Sequence, residues 1–233
     1  MSDAGLFATM ETLRATRVYE DRAVPPAVLA QILQAATYAC SAGNTQPWEF
    51  LVVTDRDTKR RLRAILSAAF AGIDAERAQR PDQLVDRAGR PVTGHAAIEH
   101  VDVVGAIVFV YWNPDRGVRL QGEYVENPDG TLRPTRAIVG GRGSSLYPAC
   151  QNMMLAAHAL GVASLFTTFF GLAAPEVRAL LHVPPRMFLG AAVCLGYGAE
   201  HLGPPRRKPL REVVHLEAWE GRYEPPPEEV PVA

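Results

Sequence analysis

Apolar residues recur at helical spacing at Leu6, Phe7, Met10 and Leu13, which predicts an amphipathic helix over about 5–16 packed by that face. A second helix opens at Val24-Pro25-Pro26, because proline is tolerated in a first turn where its missing N–H costs nothing. Val28, Leu29, Ile32, Leu33 and Ala36 give that helix a buried stripe. Small polar residues from Ser41 to Pro47 stop it, and 48–54 read as a buried strand of aromatic and β-branched residues. Asp57 is placed to cap a further helix whose inner face carries Leu62, Ile65, Leu66, Ala69 and Phe70. From Ala75 to His100 charge density rises and periodicity fades, which predicts a mobile or partly helical excursion over the surface.

Val101 to Trp112 is a near-continuous apolar run, as expected of a central strand covered on both faces. Residues 113–139 form a second irregular insertion, in which Asp129-Gly130 suggests a hairpin turn. A glycine-rich stretch then leads into a strong helix with Leu146, Ala149, Cys150, Met153, Met154 and Ala157 on one face, and Gly161 stands where a C-terminal cap belongs. Val162 to Phe170 is a short strand and loop, Pro175 opens a helix through Leu181, and Phe188 to Gly196 reads as another buried strand. Pro204 to Pro209 makes a rigid basic turn, after which Leu210 to Leu216 is expected to extend as an edge strand. The tail around Pro225-Pro226-Pro227 is expected to be loose or draped over a partner.

Composition adds bounds to this picture. With 233 residues, 48% of them hydrophobic, the chain can bury the core of one domain over 1–233, with insertions near 75–100 and 113–139. Twenty-four basic residues against 25 acidic ones leave a net charge of -1, so the balance favours neither nucleic acid nor an anionic membrane as a partner. The N-terminus lacks a basic segment followed by a long apolar core, and a cytoplasmic location is expected. Three widely spaced cysteines fit neither a disulfide framework nor paired zinc ligands, and Cys150 and Cys194 read as small core residues.

Several catalytic patterns can be set aside. His95 and His100 stand five apart with no H-E-x-x-H, there is no G-x-S-x-G elbow, and the glycines at 140–143 lack the lysine and hydroxyl residue of a phosphate loop. Three dispersed elements remain: Arg14 with Arg17, the Ser41–Pro47 turn, and Arg206 with Arg207. On a helical turn Arg14 and Arg17 would point to one side, either as a C-terminal capping pair or as a clamp on phosphate or an electron-rich ring. A planar cofactor with a phosphate tail would use all three elements, since arginine forks recognise phosphate bidentately.

The small-residue turn, then Asn44-Thr45-Gln46-Pro47-Trp48, then a hydrophobic strand resembles the FMN-binding turn of the nitroreductase family. Order and spacing extend the resemblance across nearly the whole chain, through the helix begun by Tyr147-Pro148-Ala149-Cys150-Gln151-Asn152 and the late basic turn. It implies an α+β fold with a mostly antiparallel central sheet flanked by helices, and a two-fold homodimer whose C-terminal extension lies over the partner. It also implies that Arg14, Ala15 and Arg17 contact the FMN phosphate, ribityl chain and ring edge, with Arg17 beside the N1–C2=O edge. Cys40, Ser41, Asn44 and Gln46 would meet the flavin from the other subunit, Thr167 and Thr168 would lie beside the isoalloxazine, and Arg206 and Arg207 would hold phosphate. The family often begins its signature with two adjacent arginines, but Leu13 stands at the first here, which shifts phosphate binding toward Arg207; where the family usually carries Pro-Ser this chain has Cys40-Ser41, a departure that bears on the shape of the turn. The implied activity is ping-pong hydride transfer through flavin N5, from NAD(P)H to nitroaromatics, quinones or similar electrophiles. No side-chain acid or base is assigned. Alternatives are a dehalogenase, a heterocycle oxidase, a flavin-fragmenting enzyme, or a flavin-sequestering protein without turnover.

Overall fold

Strand β2 (Ala106–Trp112) is buried at every position, and its alternation sends Ile107, Phe109 and Tyr111 to one face and Ala106, Val108 and Val110 to the other. The computed structural model describes residues 3–79, 98–117, 124–134, 143–200 and 202–226. These divide into a larger unit, Ala15–His201, and a smaller one made of Met1–Arg14 and Leu202–Ala233.

In the larger unit four strands form one antiparallel sheet. Its order is β1 (Trp48–Val53), β2, β6 (Phe188–Gly196) and β5 (Ala163–Thr167). A separate hairpin pairs β3 (Tyr124–Glu126) with β4 (Leu132–Pro134) around the expected Asp129-Gly130 turn. One sheet face packs on α3 (Arg56–Gln79) through Leu62, Leu66 and Phe70. The other packs on α2 (Pro26–Thr37), through Leu29, Ile32 and Ala36, and on α4 (Gly143–Ala159), through Leu146, Cys150 and Met153. Short α5 (Ala174–Leu180) joins the α3 side by Val177. Helices therefore cover both faces, which is why β2 and β6 carry long apolar runs despite antiparallel pairing.

Helix boundaries follow local chemistry. Pro25 and Pro26 start α2 as expected. Asp55 caps α3, not Asp57: its carboxylate accepts from the Thr58 N–H and Oγ1 at 2.7 Å each, whereas Asp57 pairs with Arg60. Those contacts hold the Asp55 carboxyl below its ordinary value. At the end of α4, the Val162 N–H reaches Ala157 O and the Gly161 N–H reaches His158 O, with Gly161 left-handed, a Schellman closure at the predicted glycine. Between β2 and β6 the register slips at Val110/Tyr111, beside Gly190. A Cβ on Gly190 would stand 2.4 Å from Leu146 Cδ1, so glycine lets the first turn of α4 lie against the sheet.

Four expectations change. The apolar run from Val101 becomes strand only at Ala106, because the preceding residues make turns and Lys59 Nζ takes the Val104 carbonyl out of any ladder. The first helix, α1 (Asp3–Thr12), ends before Leu13. Arg14 and Arg17 therefore follow the helix rather than share its last turn: Ala15 bridges to Ser164, and the Thr16 N–H donates to Ser164 O at 2.9 Å. The α1 face expected to pack is open instead, with Leu6, Phe7 and Met10 each about half exposed. After Pro209 the chain makes a 3-10 turn (Leu210–Glu212), closed by the Val213 and Val214 N–H groups on Leu210 O, and a bridge of His215 to Arg222, where an edge strand was expected. Of the first insertion, α3 runs on to Gln79 and 80–97 lie outside the described residues, as do 118–123 and 135–139 of the second.

Candidate functional site: a left-handed turn at one end of the sheet

Helix α2 runs out of apolar stripe at Ala36, and its end is closed by the Tyr38 N–H on Ala35 O and the Ala39 N–H on Ala36 O. The chain then enters the turn with Ser41 extended, and three of the next five residues are left-handed: Gly43 (φ 58), Asn44 (φ 52) and Gln46 (φ 48). Glycine adopts this region freely and asparagine tolerates it, but glutamine does not favour it, least of all immediately before a proline. Local hydrogen bonds impose it. The Asn44 N–H donates to Ser41 O at 2.9 Å, the Gln46 N–H to Ser41 Oγ at 3.0 Å, and Gln46 Nε2 to Asn44 Oδ1 at 3.3 Å. Asn44 and Gln46 stay exposed, so the turn holds an ordered polar surface toward solvent.

The exit of the turn is tied down as well. The Asn113 N–H donates to Pro47 O at 2.7 Å and Arg116 Nη2 to Trp48 O at 2.8 Å. Glu49 accepts from Asn113 Nδ2 at 2.9 Å and pairs with Arg116. Trp48 is buried in the core between α2 and the sheet. Sequence reading missed Arg116 and Glu49, which lie 67 positions apart and meet only because β1 and β2 pair Trp48 with Trp112.

Strand register places a second group on the opposite edge of the sheet. β1 begins at Trp48 opposite Trp112, Trp112 lies opposite Phe188, and β5 ends at Thr167 opposite Ala192. Ala192 is level with Phe109 and Leu51, so Thr167-Thr168 lie about midway along the sheet, on the edge opposite the one that the turn enters and three strand spacings of about 4.8 Å across from it. Thr167 is buried and its Oγ1 accepts the Phe169 N–H at 3.1 Å, while Thr168 is exposed. Beside them, Tyr147 in the first turns of α4 meets Phe166 edge-to-face with ring centroids 5.4 Å apart.

The remaining predicted residues are dispersed. Ala15 and Arg17 belong to the larger unit and are exposed; Arg17 Nη1 makes only a marginal 3.5 Å contact with Ala15 O. In the smaller unit Arg14 Nη1 donates to Gly203 O at 2.7 Å, which ties it to the stretch that continues into the exposed Arg206 and Arg207. Cys40 is exposed, whereas burial pushes the Cys150 and Cys194 thiols up to about 12, in keeping with their reading as core residues. No described helix is long and apolar enough to cross a membrane.

The Nitroreductase family model matches residues 11–197. A protein named NADH dehydrogenase from Thermus thermophilus is 34% identical over 209 residues, covering 86% of this chain and 90% of its own. Among solved structures, an NADPH:FMN oxidoreductase from Vibrio harveyi complexed with NAD+ superposes with a TM-score of 0.67 at 17% identity, over 93% of this chain and 78% of that one. A nitroreductase with bound FMN from Bacteroides fragilis does so at 0.62 and 23% identity, over 91% and 97%.

Proposed function

Because the chain belongs to the nitroreductase family, we propose that it is an FMN-dependent oxidoreductase that uses NAD(P)H to reduce nitroaromatics, quinones or similar small electrophiles. The observation that carries this reading is the Ser41–Pro47 turn. Left-handed Asn44 and Gln46 are costly to fold and are held by hydrogen bonds within the turn, a strain that packing alone does not require. Exposed Asn44 and Gln46, with polar groups already oriented, fit the edge of a flat, hydrogen-bonding ring. FMN, when bound, supplies two-electron exchange between a reduced nicotinamide and the electrophile.

The chain's own residues bind and orient. Arg207, with Arg206 and Arg14, would hold the phosphate, Ala15 would meet the ribityl chain, and Arg17 would supply a cation to the ring edge, where negative charge collects on reduction. Thr167 and Thr168 would border the ring, while Cys40, Ser41, Asn44 and Gln46 would meet the ring held by the other subunit of a homodimer. The dimer reading is supported by the two opposite sheet edges on which the turn and Thr167-Thr168 lie, and by the open apolar face of α1.

The test is the absorbance spectrum of the purified chain reconstituted with FMN, before and after anaerobic NADH or NADPH. Retained flavin bands that bleach on addition are the expected result. A chain that takes up no FMN overturns the proposal, and bound flavin that stays oxidised overturns its reductase part. Arg17→Ala is expected to slow bleaching roughly tenfold or more with FMN content retained, and an unchanged rate would remove Arg17 from its assigned role.

A further inference from the structure

Tyr147 is held in a way that core packing does not explain. Its neighbours in α4, Leu146 and Ala149, are fully buried, yet Tyr147 is 46% exposed. Its ring is nonetheless fixed, standing at 89° to Phe166. Leu146 anchors this turn of the helix against Gly190, where no side chain could fit without moving it. Phe166 immediately precedes Thr167, so the open ring lies beside the same edge strand as Thr167-Thr168. A tyrosine ring fixed on one side and open on the other offers a large flat contact at little conformational cost, and its electron-rich face favours electron-poor aromatic partners.

We propose that Tyr147 is a specificity-determining residue for the electron acceptor, its ring stacking on planar, electron-poor aromatic substrates such as nitroaromatics and quinones. This rests on the function proposed above and adds the residue that selects the substrate class. The hydroxyl is not needed for the role; the ring is. Acceptors that offer no flat ring gain nothing from it, so discrimination between the two kinds of acceptor is the property Tyr147 sets.

The experiment uses the full chain loaded with FMN, comparing Tyr147→Leu, Tyr147→Ala and Tyr147→Phe with the parent. NAD(P)H oxidation is followed with nitrobenzene and with ferricyanide, and nitrobenzene binding to the oxidised protein is measured by calorimetry without NAD(P)H. Loss of the ring in the Leu and Ala variants is expected to raise the ratio of the nitrobenzene KM to the ferricyanide KM roughly three- to tenfold, with a parallel loss of nitrobenzene affinity. The Phe variant is expected to rescue both. Tyr147→Leu keeps apolar bulk, so the test stands even where Tyr147→Ala fails to fold. An unchanged ratio in the Leu variant, or a Phe variant as impaired as the Leu variant, overturns the inference while leaving the reductase reading intact. A parent that takes up no FMN overturns that reading and this inference with it.

Discussion

At the scale of single residues, Gln46 separates folding from function. Its φ of 48 is unfavourable for a side chain with a Cβ by about 1–2 kcal/mol, and the position precedes a proline. Gln46→Gly relieves that cost, offset in part by the greater freedom of glycine in the unfolded chain. The expected outcome is an unchanged or higher melting temperature together with several-fold weaker FMN binding in a fluorescence titration. Ser41→Ala acts in the opposite sense, because it removes the acceptor of the Gln46 N–H and lowers stability by about 1 kcal/mol. A Gln46→Gly variant that melts lower and binds FMN as well as the parent would make the turn a structural feature only. Asn44-Thr45-Gln46-Pro47-Trp48 identified this corner from sequence, but its backbone was not legible there: nothing in the preference of glutamine points to a left-handed residue. That conformation comes from the Ser41 hydroxyl five positions away.

At the scale of elements, hydrophobic periodicity gave α2, α4, β1 and β6 nearly to the residue, since each has a face that the sheet or its helices must cover. Ends set by side-chain hydrogen bonds were harder. Asp55 and Asp57 are equally plausible caps by type, and only geometry assigns the role to Asp55. Because its carboxyl lies below its unfolded value, Asp55 contributes stability that is present above that value, 3.8, and is lost as pH falls through the folded one. In chemical denaturation across the acid range, Asp55→Asn is expected to shallow that loss, and a variant whose acid limb matches the parent would remove Asp55 from this role. The contact of α4 with the sheet has its own test. Gly190→Ala places a methyl against Leu146 and is expected to destabilise by about 1–3 kcal/mol; added to Leu146→Ala it is expected to cost much less, because the cavity receives the methyl. Strict additivity in that double-mutant cycle would mean that the two positions do not press on each other.

At the scale of the molecule, the failure of one sequence expectation carries the argument furthest. Periodicity in α1 announced a face to be covered, and it cannot say by what. In the smaller unit Leu6, Phe7 and Met10 stay open, and so do Leu210, Val213, Leu216 and Trp219, the last at 78% exposure and stacked on His215. That much apolar surface beside a net charge of only -1 is a liability for a solitary chain, and it is accounted for if the proposed homodimer covers it. Cofactor binding and assembly can then be pulled apart within the same unit. Phe7→Glu with Met10→Glu is expected to shift the chain from dimer to monomer in sedimentation and to lose FMN as a consequence, because the proposed site takes residues from both subunits. Arg207→Ala is expected to lose FMN affinity at least tenfold and still sediment as a dimer, since it removes a phosphate contact and no apolar surface. A Phe7/Met10 variant that remains dimeric would place the interface elsewhere. One that is monomeric yet keeps full FMN affinity would mean that a single subunit supplies the whole site, and would return the Ser41–Pro47 turn to the cofactor of its own chain.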